Sequence, residues 1–147
     1  MTIGIEGGSS ETIDLASLQD GTGALEEITE GSNTGYRISG RDTANYGDIG
    51  ANAVDLSNSA SPSATRGASG GSSTAMGSNT TASGYASTAM GSGTTASGFV
   101  STAMGYDTEA SGNYSIAMGA NTTASGLNST AMGYDTCLLY TSPSPRD

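Results

Sequence analysis

Apolar and polar positions follow a fixed period in the second half of the chain. Methionine recurs every fourteen residues, at Met76, Met90, Met104, Met118 and Met132. From Ala68 the chain divides into ASGGSSTAMGSNTT, ASGYASTAMGSGTT, ASGFVSTAMGYDTE, ASGNYSIAMGANTT and ASGLNSTAMGYDT, and eight of the fourteen columns are identical in all five copies. A register held in so many columns predicts stacked units, each in contact with its neighbours only.

The length of the period indicates which architecture the units form. Fourteen residues are too few for a helix–turn–helix unit. Glycines separate two short stretches, S-T-A-M and T-T-A-S, and glycine supplies the backbone conformations that tight corners need. The repeat therefore predicts an all-β fold, a parallel β-solenoid with one coil per repeat and a rise of about 4.8 Å per coil.

Side chains alternate between two faces along each S-T-A-M stretch. Thr88 and Met90 lie on one face, and Ser87 and Ala89 lie on the other; the spacing leaves open which face lines the interior. We expect a narrow core formed by the five methionines together with the alanines that precede them, Ala75, Ala89, Ala103, Ala117 and Ala131. Small apolar residues on both faces also indicate self-association.

The pattern A-S-G-x-x-S-T-A-M-G-x-x-T-T resembles the head repeats of YadA-like trimeric autotransporter adhesins, which are also found in phage tail fibres. The resemblance covers residues 68–136 and departs from the family in having Met where Ile or Val is common. It implies a left-handed parallel β-roll and a side-by-side homotrimer.

Residues 1–39 are predicted to be an acidic hairpin region. Alternating Ile3 and Ile5, followed by a GGSS turn and then Ile13 and Leu15, indicate a first β-hairpin. Residues 28–30 and 36–38 around GSNTG indicate a second one, with a short helix over residues 23–29 as an alternative.

Residues 40–67 are predicted to be a degenerate coil with an insertion. In GANAVDLS, the residues Gly50, Ala53, Val54 and Leu56 align with the repeat columns that hold Gly, Ser, Thr and Met. Residues 58–65 then read as a looped-out insertion with a proline at its turn.

Residues 137–147, CLLYTSPSPRD, break the repeat. They resemble, codon for codon, a translated transposase sequencing adapter. We therefore expect this tail to be a disordered library artefact, with the natural chain continuing beyond Thr136.

Composition alone is typical of disorder. Leu, Ile, Val and Phe make up only about 12% of the chain, with 23 glycines and a net charge of −10. The repeat changes that interpretation for residues 68–136, where a narrow roll needs few large apolar residues. Because lysine is absent and no long apolar window occurs, we expect neither a nucleic-acid partner nor direct membrane insertion.

Catalytic chemistry is also poorly supported. The chain has no histidine or lysine, so the usual general bases are missing, and its single cysteine forms neither an internal disulfide nor a zinc site. The G-G-x-G-x-D turns of calcium-binding solenoids are absent from the repeats. We predict no enzyme activity, no cofactor and no metal.

The variable columns of the repeat hold the candidate binding residues. They carry aromatic side chains that should point outward at the corners, namely Tyr85, Phe99, Tyr106, Tyr114 and Tyr134. Exposed aromatics are plausible contacts for a host-surface protein or glycan. Packing on neighbouring coils or chains is the simpler interpretation.

The resemblance implies a non-enzymatic attachment module, the head of a bacterial trimeric adhesin at the cell surface and outer membrane. A phage tail-fibre segment on the virion is the close alternative. Threonine columns seven, thirteen and fourteen of the repeat keep an ice-binding solenoid open, and a purely structural spacer is a further alternative.

Overall fold

The computed structural model describes residues 25–139, and the regular secondary structure of this part of the chain is almost entirely strand. It begins with the pair β1 (Leu25–Glu30) and β2 (Asn33–Ile38), followed by a single 3-10 turn at Thr43–Asn45. Long strands then alternate with strands of two residues. The long strands are β3 (Val54–Asn58), β5 (Thr74–Ser78), β7 (Thr88–Ser92), β9 (Thr102–Tyr106), β11 (Ile116–Ala120) and β13 (Thr130–Tyr134). The short strands are β4 (Gly67–Ala68), β6 (Thr81–Ala82), β8 (Thr95–Ala96), β10 (Glu109–Ala110), β12 (Thr123–Ala124) and β14 (Cys137–Leu138).

The strands form two sheets that run the length of the molecule. The long sheet has the order β1-β2-β3-β5-β7-β9-β11-β13, and the short sheet runs from β4 to β14 through the even-numbered strands. Every pair of neighbouring coils is parallel and in register, so that Met90 lies opposite both Met76 and Met104. The prediction of an all-β parallel solenoid with one coil per repeat is confirmed, and the solenoid has about seven turns.

Backbone hydrogen bonds between coils hold the solenoid together. The Thr88 N–H donates to the Ser101 carbonyl at 2.9 Å, and the equivalent bond recurs from coil to coil. The glycine after each methionine permits this close stacking. Gly91 has a φ of +123° and lies directly against the backbone of Gly105, so a side chain there would be both strained and obstructed.

The interior of the solenoid is lined by the Ser–Ala face of each long strand. Ala89 and Ala103 are fully buried, as are the alanines of the short strands, such as Ala96. Methionine lies on the outer face instead, and Met76 and Met132 are 37% and 59% exposed. The expectation that the methionines fill the core was therefore wrong for the single chain. Fully buried alanine, serine and threonine side chains, such as Ala89, Ser87 and Thr94, fill the interior in their place.

The N-terminal end of the described chain is a hairpin. Strands β1 and β2 are antiparallel and pair Leu25 with Ile38 through Glu30 with Asn33. The second predicted hairpin is confirmed, with longer strands and a tighter turn at Gly31 and Ser32. The alternative of a helix was wrong for residues 25–29, because these residues pair with β2 along their whole length. The first predicted hairpin lies outside the described residues.

The predicted degenerate coil has the register of the repeats. Val54 lies opposite Thr74, and Leu56 lies opposite Met76. Residues 59–66 form no strand and connect β3 to β4, as the looped-out insertion requires. Tyr36 of β2 pairs in parallel with Val54, so the hairpin feeds directly into the first coil.

A buried charge cluster closes this end of the alanine interior. Asp55 lies in the column of Ala75 and is fully buried, as Arg37 nearly is. The Arg37 Nε donates to Asp55 Oδ2 at 3.2 Å, and its Nη1 contacts Glu30 Oε1 at 3.1 Å. The guanidinium also lies over the ring of Tyr46, 4.9 Å from its centre. These contacts replace the packing that a preceding coil provides elsewhere.

Strand β14 corrects the expectation of disorder at the start of the tail. Cys137 and Leu138 pair with Thr123 and Ala124 of β12. The preceding coil offers free backbone groups at its edge, and the Ser125 N–H donates to the Leu138 carbonyl at 3.0 Å. An extended segment of nearly any sequence can use such an edge. Residues 140–147 lie outside the described chain.

We predict that substitution by leucine is destabilising at one position of β9 and tolerated at the next. The substitution Ala103→Leu should lower the free energy of unfolding by about 1–3 kcal/mol, because it overpacks a buried column between Ala89 and Ala117. Met104→Leu, one residue further on the outer face, should change it by less than about 0.5 kcal/mol. Urea unfolding of both variants tests this, and an equal loss would contradict the assigned faces.

We also predict that the charge cluster behaves as a unit. Asp55→Ala should destabilise the chain by about 3 kcal/mol, because it leaves the Arg37 guanidinium buried with one partner removed. The double variant R37L/D55A should recover most of that loss. Thermal and urea unfolding of D55A, R37L and the double variant R37L/D55A form the test. Additive losses would contradict it.

Candidate functional site

Each coil turns at two corners, and both corners place one residue in the left-handed backbone conformation. The first corner, which precedes the long strand, holds residues with φ between +51° and +58°: Asn52, Ser72, Ala86, Val100, Tyr114 and Asn128. Each is held by a backbone bond to the preceding coil, as in the Val100 N–H to the Tyr85 carbonyl at 2.8 Å. The backbone ladder therefore imposes the conformation regardless of the side chain.

The opposite corner, which follows the long strand, holds residues suited to this conformation. They are Asn79, Gly93, Asp107, Asn121 and Asp135, with φ between +46° and +67°. Asn, Asp and Gly enter the left-handed region at low cost. The composition of this column is a sequence signal for a left-handed corner.

Three of the five candidate aromatics meet on the first corner. Tyr85 and Phe99 are stacked, with ring centres 5.3 Å apart and planes at 13°. Tyr114 meets Phe99 edge-to-face, at 5.5 Å and 75°. We call Tyr85, Phe99 and Tyr114 the aromatic ridge. Its rings pack on neighbouring coils, as the simpler interpretation expects, and yet they remain 55%, 41% and 51% exposed.

Further apolar side chains, a glycine and an asparagine lie next to the ridge. Leu127 continues it on the next coil and is 59% exposed, and Val100 beside it is 42% exposed. The Tyr85 ring lies over Gly71, where an added Cβ would lie 3.3 Å from the ring. The Asn113 side-chain oxygen accepts a bond from the Phe99 N–H at 3.0 Å, which fixes this carboxamide beside the rings.

The other two candidate aromatics lie apart from the ridge. Tyr106 and Tyr134 are at the ends of long strands, next to the opposite corner, and are 57% and 74% exposed. Ala120 lies between them in the column, so their rings are separated by a whole coil. The structure therefore divides the five predicted residues into one cluster of three and two isolated tyrosines.

The outer face of the long sheet is a second surface of note, and we call it the methionine face. It consists of the first and third residues of the long strands β5, β7, β9, β11 and β13: Thr74, Met76, Thr88, Met90, Thr102, Met104, Ile116, Met118, Thr130 and Met132. None of these side chains is charged. The face is in register from coil to coil and partly apolar.

The threonine columns bear on the ice-binding alternative. Column thirteen faces the interior, where Thr80 and Thr94 are fully buried. Columns seven and fourteen lie on the outer faces of different sheets, as Thr88 and Thr95 illustrate. No two threonine columns therefore lie side by side on one exposed face of the described coils.

Within residues 25–139, no group of three or more metal-binding side chains comes together. A shallow depression near the N-terminal end, lined by Asn33, Tyr46 and Asp48 among others, contains a single carboxylate. In the same part of the chain, no helix is long and apolar enough to cross a membrane.

Comparison with protein families gives one match. Residues 68–94, 96–122 and 110–136 match the family model described as "YadA head domain repeat (2 copies)". The matched segments coincide with the five sequence repeats and cover just under half of the chain. They indicate a domain like those of trimeric autotransporter adhesins, a structural adhesin family. Comparisons with curated proteins and with solved structures found no match.

We predict that the first corner stores strain at Val100. A β-branched residue is poorly suited to a φ of +51°. Val100→Asn, which introduces the residue found at Asn128 in the same column, should raise the free energy of unfolding by about 1 kcal/mol. Asp107→Asn at the opposite corner is the control and should have little effect. Thermal unfolding tests both, and a V100N variant no more stable than the parent would contradict the assignment.

Proposed function

We propose that this chain forms part of the head of a trimeric surface adhesin, because residues 68–136 match the YadA head domain repeat. In this proposal it is a non-enzymatic module that mediates attachment to a host or another surface. It lies outside the cell, on a protein anchored in the outer membrane. The observation that carries the proposal is the methionine face, which a single chain leaves uncovered.

The methionine face supports assembly from identical chains. Its methionine side chains are partly exposed, by 37% at Met104 and by 59% at Met132. Over five coils it extends roughly 24 Å along the axis, and contiguous apolar surfaces of this kind mark interaction sites. Methionine packs adaptably against irregular partners. Closed rotational symmetry would cover this face on every copy at once.

A trimer suits attachment because it multiplies weak contacts. Each copy presents the same columns at the same height, so one surface can engage several sites simultaneously and avidity replaces single-site affinity. The proposed contact residues are the three exposed aromatics that meet at the first corner, Tyr85, Phe99 and Tyr114. The partner would be a protein or a glycan on the target surface.

The assembly is tested by a matched pair of substitutions. We expect the chain to sediment as a trimer, and Thr88→Glu on the methionine face to shift it towards monomer, because the carboxylates would be buried together. Thr81→Glu is the control: it lies on the outer face of the short sheet, in the column where Glu109 already occurs. Sedimentation velocity over a range of concentrations is the measurement.

Two results of that experiment would contradict the proposed interface. A parent chain that stays monomeric at every concentration would remove the trimer. A T88E variant that assembles as well as T81E would move the interface elsewhere.

Attachment is tested separately. Beads coated with the chain should adhere to layers of epithelial cells well above beads coated with albumin. Equal adhesion of the two kinds of bead would count against an adhesive role and in favour of a structural spacer.

A further inference from the structure

We propose that the aromatic ridge is a binding site for a neutral glycan, with the Tyr114 ring as the surface on which a sugar ring stacks. This inference rests on the proposed attachment function and gives it a site and a ligand class. It also separates the three ridge residues from the two isolated tyrosines, to which it assigns no role in binding.

The ring orientations set Tyr114 apart from the other two aromatics. Tyr85 contacts Gly71 and is stacked on Phe99. Tyr114 is turned by 75° relative to Phe99, in an edge-to-face contact, and takes no part in the stack. With half of its surface exposed, Tyr114 offers a ring face, and Asn113 beside it offers a fixed carboxamide. A sugar presents the complementary surfaces, an apolar C–H face and hydroxyl groups around its rim.

Tyr114 contradicts the conformational preference of its corner. It occupies the left-handed position with a φ of +58°, a conformation that a bulky side chain adopts at a cost. The same position holds Asn52, Ser72 and Asn128 in other coils, and the opposite corner is filled by Asn, Asp and Gly throughout. A bulky side chain kept where it costs stability points to a role outside the fold.

The charge distribution selects an uncharged ligand. The columns of the first corner contain no charged residue from Gly71 to Asn128. The three carboxylates of the repeats, Asp107, Glu109 and Asp135, lie at the opposite corner or on the short sheet. The chain as a whole carries a net charge of −10, which disfavours sialylated or sulfated sugars by general repulsion.

The size of the ridge favours a glycan over a folded protein. Three half-exposed aromatic side chains offer on the order of 300 Å² of surface. A stable protein interface buries about 800 Å² on each partner. A short oligosaccharide matches the smaller area, and weak binding at each site is compatible with attachment through several copies.

The test is an array of oligosaccharides probed with the full chain. It carries neutral glycans ending in glucose, galactose or N-acetylglucosamine, beside sialylated and sulfated ones. The strongest neutral glycan is then titrated into the chain in solution, with binding followed by nuclear magnetic resonance. We expect binding to one or more neutral glycans and none to the anionic ones.

The variants are drawn from the repeat itself, so that they preserve the fold. F99N/Y114N places in each column an asparagine that the same column already holds, at Asn113 and Asn128. It should weaken glycan binding at least tenfold. Y106S/Y134S removes the isolated tyrosines in favour of the serine found at Ser78 and Ser92 in their column. It should bind within twofold of the parent.

Several outcomes would overturn the inference. These are an absence of binding to any neutral glycan, equal binding by F99N/Y114N and the parent, or an equal loss in both double variants. If F99N/Y114N loses bead adhesion to cells while the parent binds no glycan, the ligand is a protein. If it loses the trimer instead, the ridge is a contact between copies. Failure of the parent beads to adhere would count against the attachment function, whereas glycan binding is read on the array independently.

Discussion

The structure depends on one constraint, the parallel hydrogen-bonded ladder between successive coils. Strands stacked in this way lie about 4.8 Å apart, and the register pairs each residue with the one fourteen positions away, as with Met90 and Met104. Every side chain therefore faces its counterpart in the next coil. A side chain in the interior must therefore pack against copies of itself in the coils above and below. This requirement explains why the interior columns scarcely vary, while the corner columns vary freely.

The ladder also explains how so little apolar surface suffices. The interior consists of small residues, and its serine and threonine hydroxyls, such as those of Ser101 and Thr108, find no hydrogen-bond partner among the described residues. Buried hydroxyls without partners cost free energy. The backbone bonds that recur from coil to coil offset this cost. A chain whose composition is typical of disorder can therefore fold, because the repeat allows the same backbone bonds to form between each pair of coils.

The sequence predicted the features that follow from periodicity alone: one coil per repeat, parallel strands, outward-facing corners and the register of Val54 and Leu56 with the repeats. It could not decide which face is inside, since alternation permits both solutions. Nor could it pair Arg37 with Asp55, because these residues meet across a connection of irregular length. The ridge was only half predictable: Tyr114 is one column away from Phe99, and only the corner geometry brings the rings together.

The two corners form an internal comparison that separates folding from function. Both require the left-handed conformation and both are held by the same kind of backbone bond, at Val100 and at Asp107 alike. The opposite corner holds only Asn, Asp and Gly, which adopt this conformation readily. The first corner also holds Ala86, Val100 and Tyr114, which do not. Since the ladder imposes the backbone in either case, the chain can carry unfavourable side chains at little risk to the fold. A solenoid of this kind thus separates the columns that maintain the coil from those free to recognise a partner, and the aromatic ridge lies in the second group.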